Sequence, residues 1–122
     1  MKTIGKIGLA VITMGLLANL LLRGGADKDA DIPQLIQDGA LVVDTRTAGE
    51  FNGGHIEGAI NIPYDRITNG IGQHTTDKAK EIVVYCHSGS RSGSAKAALL
   101  SAGYTNVVNG GSLSRMRSVL AK

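Results

Sequence analysis

The chain has 122 residues, of which 43% are hydrophobic and 19% charged, which suits one folded domain and excludes two domains or a disordered chain. Its single cysteine excludes an internal disulfide, and one Phe, three Tyr and no Trp argue against a stacking platform for single-stranded nucleic acid. The formal net charge of +3 would by itself suggest an anionic partner.

Residues 1–26 have the layout of a secretory signal peptide. Lys2 and Lys6 precede an uncharged, mainly apolar stretch over residues 7–22, and small residues follow it. The stretch has 16 residues, fewer than the about 20 that a membrane-spanning helix needs. We therefore predict cleavage before Asp27 and a periplasmic protein without stable membrane contact. The alternative is an uncleaved anchor in the inner membrane, formed by residues 7–22.

The net positive charge of the chain comes from this segment, which holds three of the 13 basic residues and none of the 10 acidic ones. The remaining domain, residues 27–122, is therefore formally neutral, and we expect no nucleic-acid partner. Three scattered histidines and one cysteine lack the spacing of metal ligands. The sequence also lacks phosphate-binding and dinucleotide-binding glycine motifs, so we expect neither a metal nor a cofactor.

Short strands and helices alternate along the predicted domain. In chain order we predict a helix over 32–39, a strand over 40–44, a helix over 47–51, a strand over 59–63, a polar stretch with helix potential over 64–80, a strand over 81–86, a helix over 93–102, a strand over 106–109 and a helix over 112–121. Continuous apolar runs such as 40–44 are typical of strands covered on both faces. The pattern predicts an α/β fold whose small, mainly parallel sheet of four to five strands carries helices on both faces.

Cys86 ends the clearest predicted strand and stands before a loop over residues 87–92 that leads into a helix. Ligands of parallel sheets bind at this carboxyl edge. Successive backbone N–H groups at a helix N-terminus form an anion cradle, which also favours a thiolate over a thiol. A lone cysteine is more often a small buried hydrophobe, but the loop context with Gly89 and Arg91 favours a nucleophile here.

Asp44 and Arg46 leave another predicted strand at the same edge of the sheet. They either line the pocket or form a structural pair with each other. The residues alone leave both alternatives open.

Two stretches of the domain carry family-like motifs. The first, over residues 43–63, contains VDTR, EF, GHIEGA and NIP, and the second is VYCHSGSRS over residues 84–92, with GY and GG following at 103–104 and 110–111. They resemble the signatures of the rhodanese family, most closely its single-domain, exported phage shock protein E type. One departure is that many relatives have Trp shortly after the Gly-Gly pair, where this chain has Leu113 and Met116.

The resemblance implies a three-layer α/β/α fold and a thiosulfate sulfurtransferase of the thiosulfate:cyanide type. In such an enzyme a Cys86 persulfide would carry the sulfur from thiosulfate to cyanide or a thiol, and we expect a monomer with small-molecule partners only. The remaining loop residues would bind the donor or shape the cradle; they are His87, Ser88, Gly89, Ser90, Arg91 and Ser92. The resemblance further implies that Arg91 fixes the loop or holds an anionic donor, and that Asp44 supports the loop; it leaves Arg46 open.

Two other functions compete with sulfur transfer. Cysteine-dependent phosphatases and arsenate reductases use a similar cradle, but their loop is one residue longer than the four residues that Cys86 and Arg91 enclose. The shorter loop favours a single sulfur atom over a tetrahedral phosphate. A non-catalytic rhodanese-like sulfur-carrier or binding module is the other alternative, although such modules commonly lose the loop cysteine.

Overall fold

The computed structural model describes residues 25–122, so most of the predicted signal segment, residues 1–24, lies outside the described residues. The strands are β1 (Leu41–Asp44), β2 (Ile60–Asn61), β3 (Ile82–Cys86) and β4 (Val107–Ser112). The helices are α1 (Ile32–Gln37), α2 (Ala48–Asn52), α3 (Ile67–Ile71), α4 (Ser90–Ser101) and α5 (Leu113–Leu120), with a 3-10 turn over Tyr64–Arg66 before α3. No helix within the described range is long and apolar enough to cross a membrane.

The four strands form one sheet in the order β2-β1-β3-β4, and every neighbouring pair is parallel. Parallel neighbours need crossover connections, which the helices supply. Strand β2 follows β1 in the chain and lies on one side of it, whereas β3 lies on the other side of β1. The direction in which successive strands are added to the sheet therefore reverses between β1 and β3. A crevice for ligands is expected outside the carboxyl ends of strands at such a reversal. There Asp44 of β1 is in register with Tyr85 of β3.

The position of β3 in the interior of the sheet explains why its sequence is apolar without interruption. Successive side chains of a strand point to opposite faces. Ile82 and Val84 pack in one cluster with residues of α3 and α4, whereas Val83 and Tyr85 pack in a second cluster with residues of α1 and α5. Both faces of the sheet are therefore covered, and the predicted three-layer α/β/α architecture is confirmed.

Helix α4 begins at Ser90, three residues earlier than the sequence predicts. The residue before it, Gly89, has a φ of +97° in the left-handed region, which turns the chain sharply from the strand into the helix. As a result, Arg91 and Ser92 lie in the first turn of α4 and not in a loop. Their side chains are thus fixed to a rigid element beside Cys86.

Strand β4 also runs further than predicted, to Ser112, because it contains a bulge. Val84 is in register with Asn109 and Tyr85 with Gly111, so Gly110 is the additional residue. A Cβ atom at Gly110 would lie 2.5 Å from the Met116 sulfur, so any other residue there would displace the buried Met116 side chain. Bulges bend a strand and redirect the neighbouring side chains; here the neighbour is Asn109, which points toward the loop after β3.

Candidate active site

The Cys86 thiol lies at the carboxyl end of β3 and is fully buried. The Gly89 backbone N–H donates to Sγ at 2.9 Å, and the Ser92 hydroxyl oxygen lies 3.4 Å from Sγ. Burial raises the pKa of the thiol, but hydrogen bonds from the Ser92 hydroxyl and from the backbone N–H groups of Ser92, Gly89 and Ser88 together lower it more. The pKa of Cys86 therefore lies below its ordinary value, and the site favours the nucleophilic thiolate.

Ser92 places one hydroxyl proton among three acceptors. Its oxygen is 2.8 Å from Asn109 Oδ1, 3.1 Å from the Gly89 carbonyl oxygen and 3.4 Å from Cys86 Sγ. A hydroxyl has a single proton to donate and rotates to suit its partners. The Ser92 hydroxyl can therefore donate to Asn109 while Cys86 is a thiol and turn to the sulfur once Cys86 is ionised.

Asn109 is a site residue that the sequence reasoning missed. It is fully buried; its Oδ1 also accepts the Gly111 N–H at 2.9 Å, and its Nδ2 donates to the Gly89 carbonyl at 3.2 Å. These contacts hold the loop after β3 against the bulge of β4. No motif marks this asparagine, because its role depends on a bulge that forms only when β4 pairs with β3.

Replacing Ser92 with alanine should raise the pKa of Cys86, because a donor to the thiolate is lost. Hydrogen bonds to charged groups contribute about 1.5–3 kcal/mol, so the loss of this donor should be readily measurable. The rate at which iodoacetamide alkylates the only cysteine, followed by intact mass, should fall at low pH and converge with the wild-type rate at high pH. Ser94→Ala, on an exposed position of the same helix, is the control. Identical pH profiles for Ser92→Ala and the wild type would contradict this role.

Arg91 binds a carboxylate of a neighbouring helix. Its guanidinium donates to both oxygens of Glu50 in α2, at 2.8 and 3.0 Å. Arg91, together with hydrogen bonds from Thr47, lowers the pKa of Glu50 to about 2. The fork of Arg91 is thus occupied, and the arginine ties the start of α4 to α2, an arrangement that matches loop fixing and not donor binding.

Glu50 was also not singled out as a site residue from the sequence. It closes the capping box at the start of α2, where Thr47 accepts the Glu50 N–H and Glu50 accepts the Thr47 N–H. The Thr47-to-Glu50 spacing is a recognisable capping signature. That signature could have located the carboxylate, but its contact with Arg91 depends on tertiary packing.

Asp44 and Arg46 form a buried pair at the end of β1. The Arg46 Nη2 donates to Asp44 Oδ2 at 2.6 Å and Nε to Oδ1 at 3.0 Å, and the two side chains are 6% and 0% exposed. Arg46 also donates to the carbonyl of Gly54 at 2.7 Å, in the loop after α2. Of the two alternatives left open by the sequence, the contacts match the structural pair.

The remaining predicted site residues lie at the surface of the same edge. His87, Ser88 and Ser90 are exposed, and the hydroxyl oxygens of the two serines are 3.5 Å apart. His87 lines a cavity of about 250 Å³ together with residues of α5; the others are Leu113, Ser114 and Arg117. Across residues 25–122, no cluster of three or more His, Cys, Asp or Glu side chains is suited to a metal ion.

A parallel α/β sheet with a thiolate-favouring cysteine in a strand-to-helix turn at its carboxyl edge is the arrangement expected of a domain that uses a cysteine nucleophile. The Rhodanese-like domain family matches residues 29–112 of the chain, which includes the sheet and the Cys86 turn. The chain belongs to the rhodanese family, and the family predicted from the sequence motifs is confirmed.

Similar proteins include sulfurtransferases. Over 71 residues the chain is 39% identical to the thiosulfate sulfurtransferase PspE of Escherichia coli, covering 58% of this chain and 68% of PspE. A solved rhodanese from E. coli is 36% identical with a TM-score of 0.61, covering 63% of this chain and 91% of that one. A tRNA uridine(34) hydroxylase of Hamiltonella defensa is 34% identical over 102 residues, covering 78% of this chain and 29% of the hydroxylase. The chain thus matches less than a third of that larger enzyme.

Proposed function

We propose that the chain is a sulfurtransferase that moves the outer sulfur of thiosulfate, or a similar donor, to cyanide or a thiol through a persulfide on Cys86. The observation that carries the proposal is the environment of the Cys86 sulfur, which accepts the Gly89 N–H at 2.9 Å and lies beside the Ser92 hydroxyl. The similarity to the thiosulfate sulfurtransferase PspE and to a rhodanese solved with anions supports this choice of substrate.

The reaction needs two displacements at sulfur. In the first, the Cys86 thiolate attacks the outer sulfur of thiosulfate; the new S–S bond forms as the S–S bond of the donor breaks, and its electron pair leaves with sulfite. In the second, cyanide attacks the outer sulfur of the persulfide, which releases thiocyanate and restores the thiolate. The backbone N–H groups that stabilise the thiolate are also placed to stabilise a persulfide anion, since both carry negative charge at the same edge.

Arg91 supplies an argument against the competing phosphatase function. A bidentate guanidinium is the arrangement by which arginine holds a phosphate. In this protein the fork of Arg91 is bound to Glu50 at 2.8 and 3.0 Å, so it offers no free fork to a tetrahedral anion. The short spacing between Cys86 and Arg91 points the same way.

We also propose that the domain is exported and that the mature chain begins at Asp27. The Asp27 backbone nitrogen donates to the Asn109 carbonyl at 2.8 Å, a contact that an α-ammonium group can also make. The Asp27 carboxylate accepts from the Asn109 N–H at 2.8 Å and from Lys96 at 2.6 Å. A chain that starts at Asp27 would therefore keep its first residue fixed next to the loop-holding asparagine.

Assays with purified protein on two substrates separate the candidate reactions. With thiosulfate and cyanide, we expect thiocyanate to form at a rate that scales with protein concentration. With p-nitrophenyl phosphate, we expect phosphate release at the level of buffer alone. Phosphate release that requires Cys86, without thiocyanate formation, would overturn the proposed function in favour of the phosphatase.

A further inference from the structure

The cavity beside His87 is lined by an arginine that takes no part in the two displacements at sulfur. Arg117 lies on α5, whose first residue follows directly on β4, and it lines the cavity of about 250 Å³ with His87, Leu113 and Ser114. His87 is the residue after the nucleophile, so the cavity opens at the same edge of the sheet as the Cys86 turn. Its volume is just below the about 300–1,000 Å³ of pockets for drug-sized ligands, which suits a small molecule.

Other arginines near this edge are already engaged. Arg46 is paired with Asp44 and Arg91 with Glu50, and each carboxylate balances the charge of its arginine. Arg115 donates to the Gly110 carbonyl at 2.8 Å. Arg117 is exposed and, like Arg115, pairs with no carboxylate among residues 25–122. Unlike Arg115, it also donates to no carbonyl of these residues. Its positive charge is therefore available to an anion in the cavity.

The position of the Arg117 guanidinium depends on the loop after α2. A Cβ atom built on Gly54 would lie 3.3 Å from an Arg117 terminal nitrogen, so the guanidinium packs closely against this glycine. The Gly54 carbonyl accepts from Arg46 at 2.7 Å, which fixes the loop to the buried pair at the end of β1. The contact places the Arg117 guanidinium against an anchored part of the fold.

We propose that Arg117 binds the anionic sulfonate end of the sulfur donor and thereby determines which donors the protein accepts. His87 and Ser114 are the neighbouring polar groups in the cavity. The identity of this anion rests on the proposed function. Thiosulfate is a dianion that must approach a thiolate, and its sulfonate end gains further negative charge as it leaves as sulfite with the electron pair of the donor S–S bond. An arginine fork matches the oxygen geometry of such a group and offsets both the repulsion and the developing charge.

Two readouts test the assignment, one with and one without sulfur transfer. Arg117→Ala should lower kcat/KM for thiosulfate by about tenfold or more, the loss expected for one charge-assisted contact. It should also lower the ratio of Cys86 alkylation rates by iodoacetate and iodoacetamide, two reagents with the same leaving group of which only one is anionic. Arg117→Lys should recover part of the kcat/KM for thiosulfate and part of the alkylation ratio, because lysine keeps the charge but lacks the planar fork.

Arg66→Ala is the matched control, since Arg66 is exposed like Arg117 but lies on the 3-10 turn and does not line the cavity. We expect its kcat/KM and its alkylation ratio to stay within about twofold of the wild type, because Arg66 lies outside the cavity. An alkylation ratio that Arg117→Ala leaves unchanged, or that both variants lower equally, would overturn the assignment. A ratio that falls only in Arg117→Ala, in a protein that forms no persulfide from thiosulfate, would support the anion site and overturn the proposed function.

Discussion

Cys86→Ser should abolish sulfur loading completely, whereas the wild-type protein treated with thiosulfate should gain the mass of one sulfur atom. The chain has a single cysteine, so no second thiol can convert the persulfide into an internal disulfide. The persulfide should therefore persist long enough for intact-mass measurement. Addition of cyanide should return the protein to its starting mass and yield an equal amount of thiocyanate.

A fold control separates lost chemistry from lost structure in this experiment. The substitution replaces sulfur by oxygen at a buried position where Gly89 and Ser92 supply hydrogen-bond donors, so the serine hydroxyl is satisfied. Cys86→Ser should consequently unfold at a urea concentration close to that of the wild type. Ser94→Ala should load sulfur as the wild type does. Thiosulfate turnover by a folded Cys86→Ser protein would show that another group carries the sulfur.

The sequence predicted the architecture well because β3 is buried on both faces. Its continuous apolar run and the glycine-rich turn that follows are local properties, and they locate Cys86 at the carboxyl edge without knowledge of the other strands. The start of α4 was predicted three residues late, since the serines and arginine after Gly89 have no strong helix preference and the left-handed glycine decides where the helix begins.

The partners of the predicted site residues could not be predicted from the sequence. Arg91 and Glu50 are 41 positions apart, and Ser92 and Asn109 are 17 apart. Each contact depends on how one helix or strand packs against another, and on the additional residue in β4. Local patterns report helix caps, strand ends and turns, but they do not report which side chains meet after the layers assemble.

Arg46→Ala should cause the largest loss of stability among the variants considered. It would leave the Asp44 carboxylate, 0% exposed, without its cation and would also remove the donor to the Gly54 carbonyl. Breaking a buried pair by deleting one partner costs about 3–5 kcal/mol, against a total of about 5–15 kcal/mol for a typical domain. The midpoint of urea unfolding should fall accordingly, while Arg66→Ala should shift the free energy of unfolding by no more than about 0.5 kcal/mol.

The same variant separates the two roles that the sequence left open for this pair. If the contacts act structurally, the double substitution Asp44→Asn with Arg46→Met should be more stable than Arg46→Ala, because it leaves no unpaired buried charge. In the folded fraction of Arg46→Ala, the KM for thiosulfate should rise by less than it does in Arg117→Ala. The Arg46 fork is bound to Asp44, so Arg46 can act on the donor only through the loop at Gly54. A stable Arg46→Ala protein with a greatly raised KM would instead assign Arg46 to the donor site.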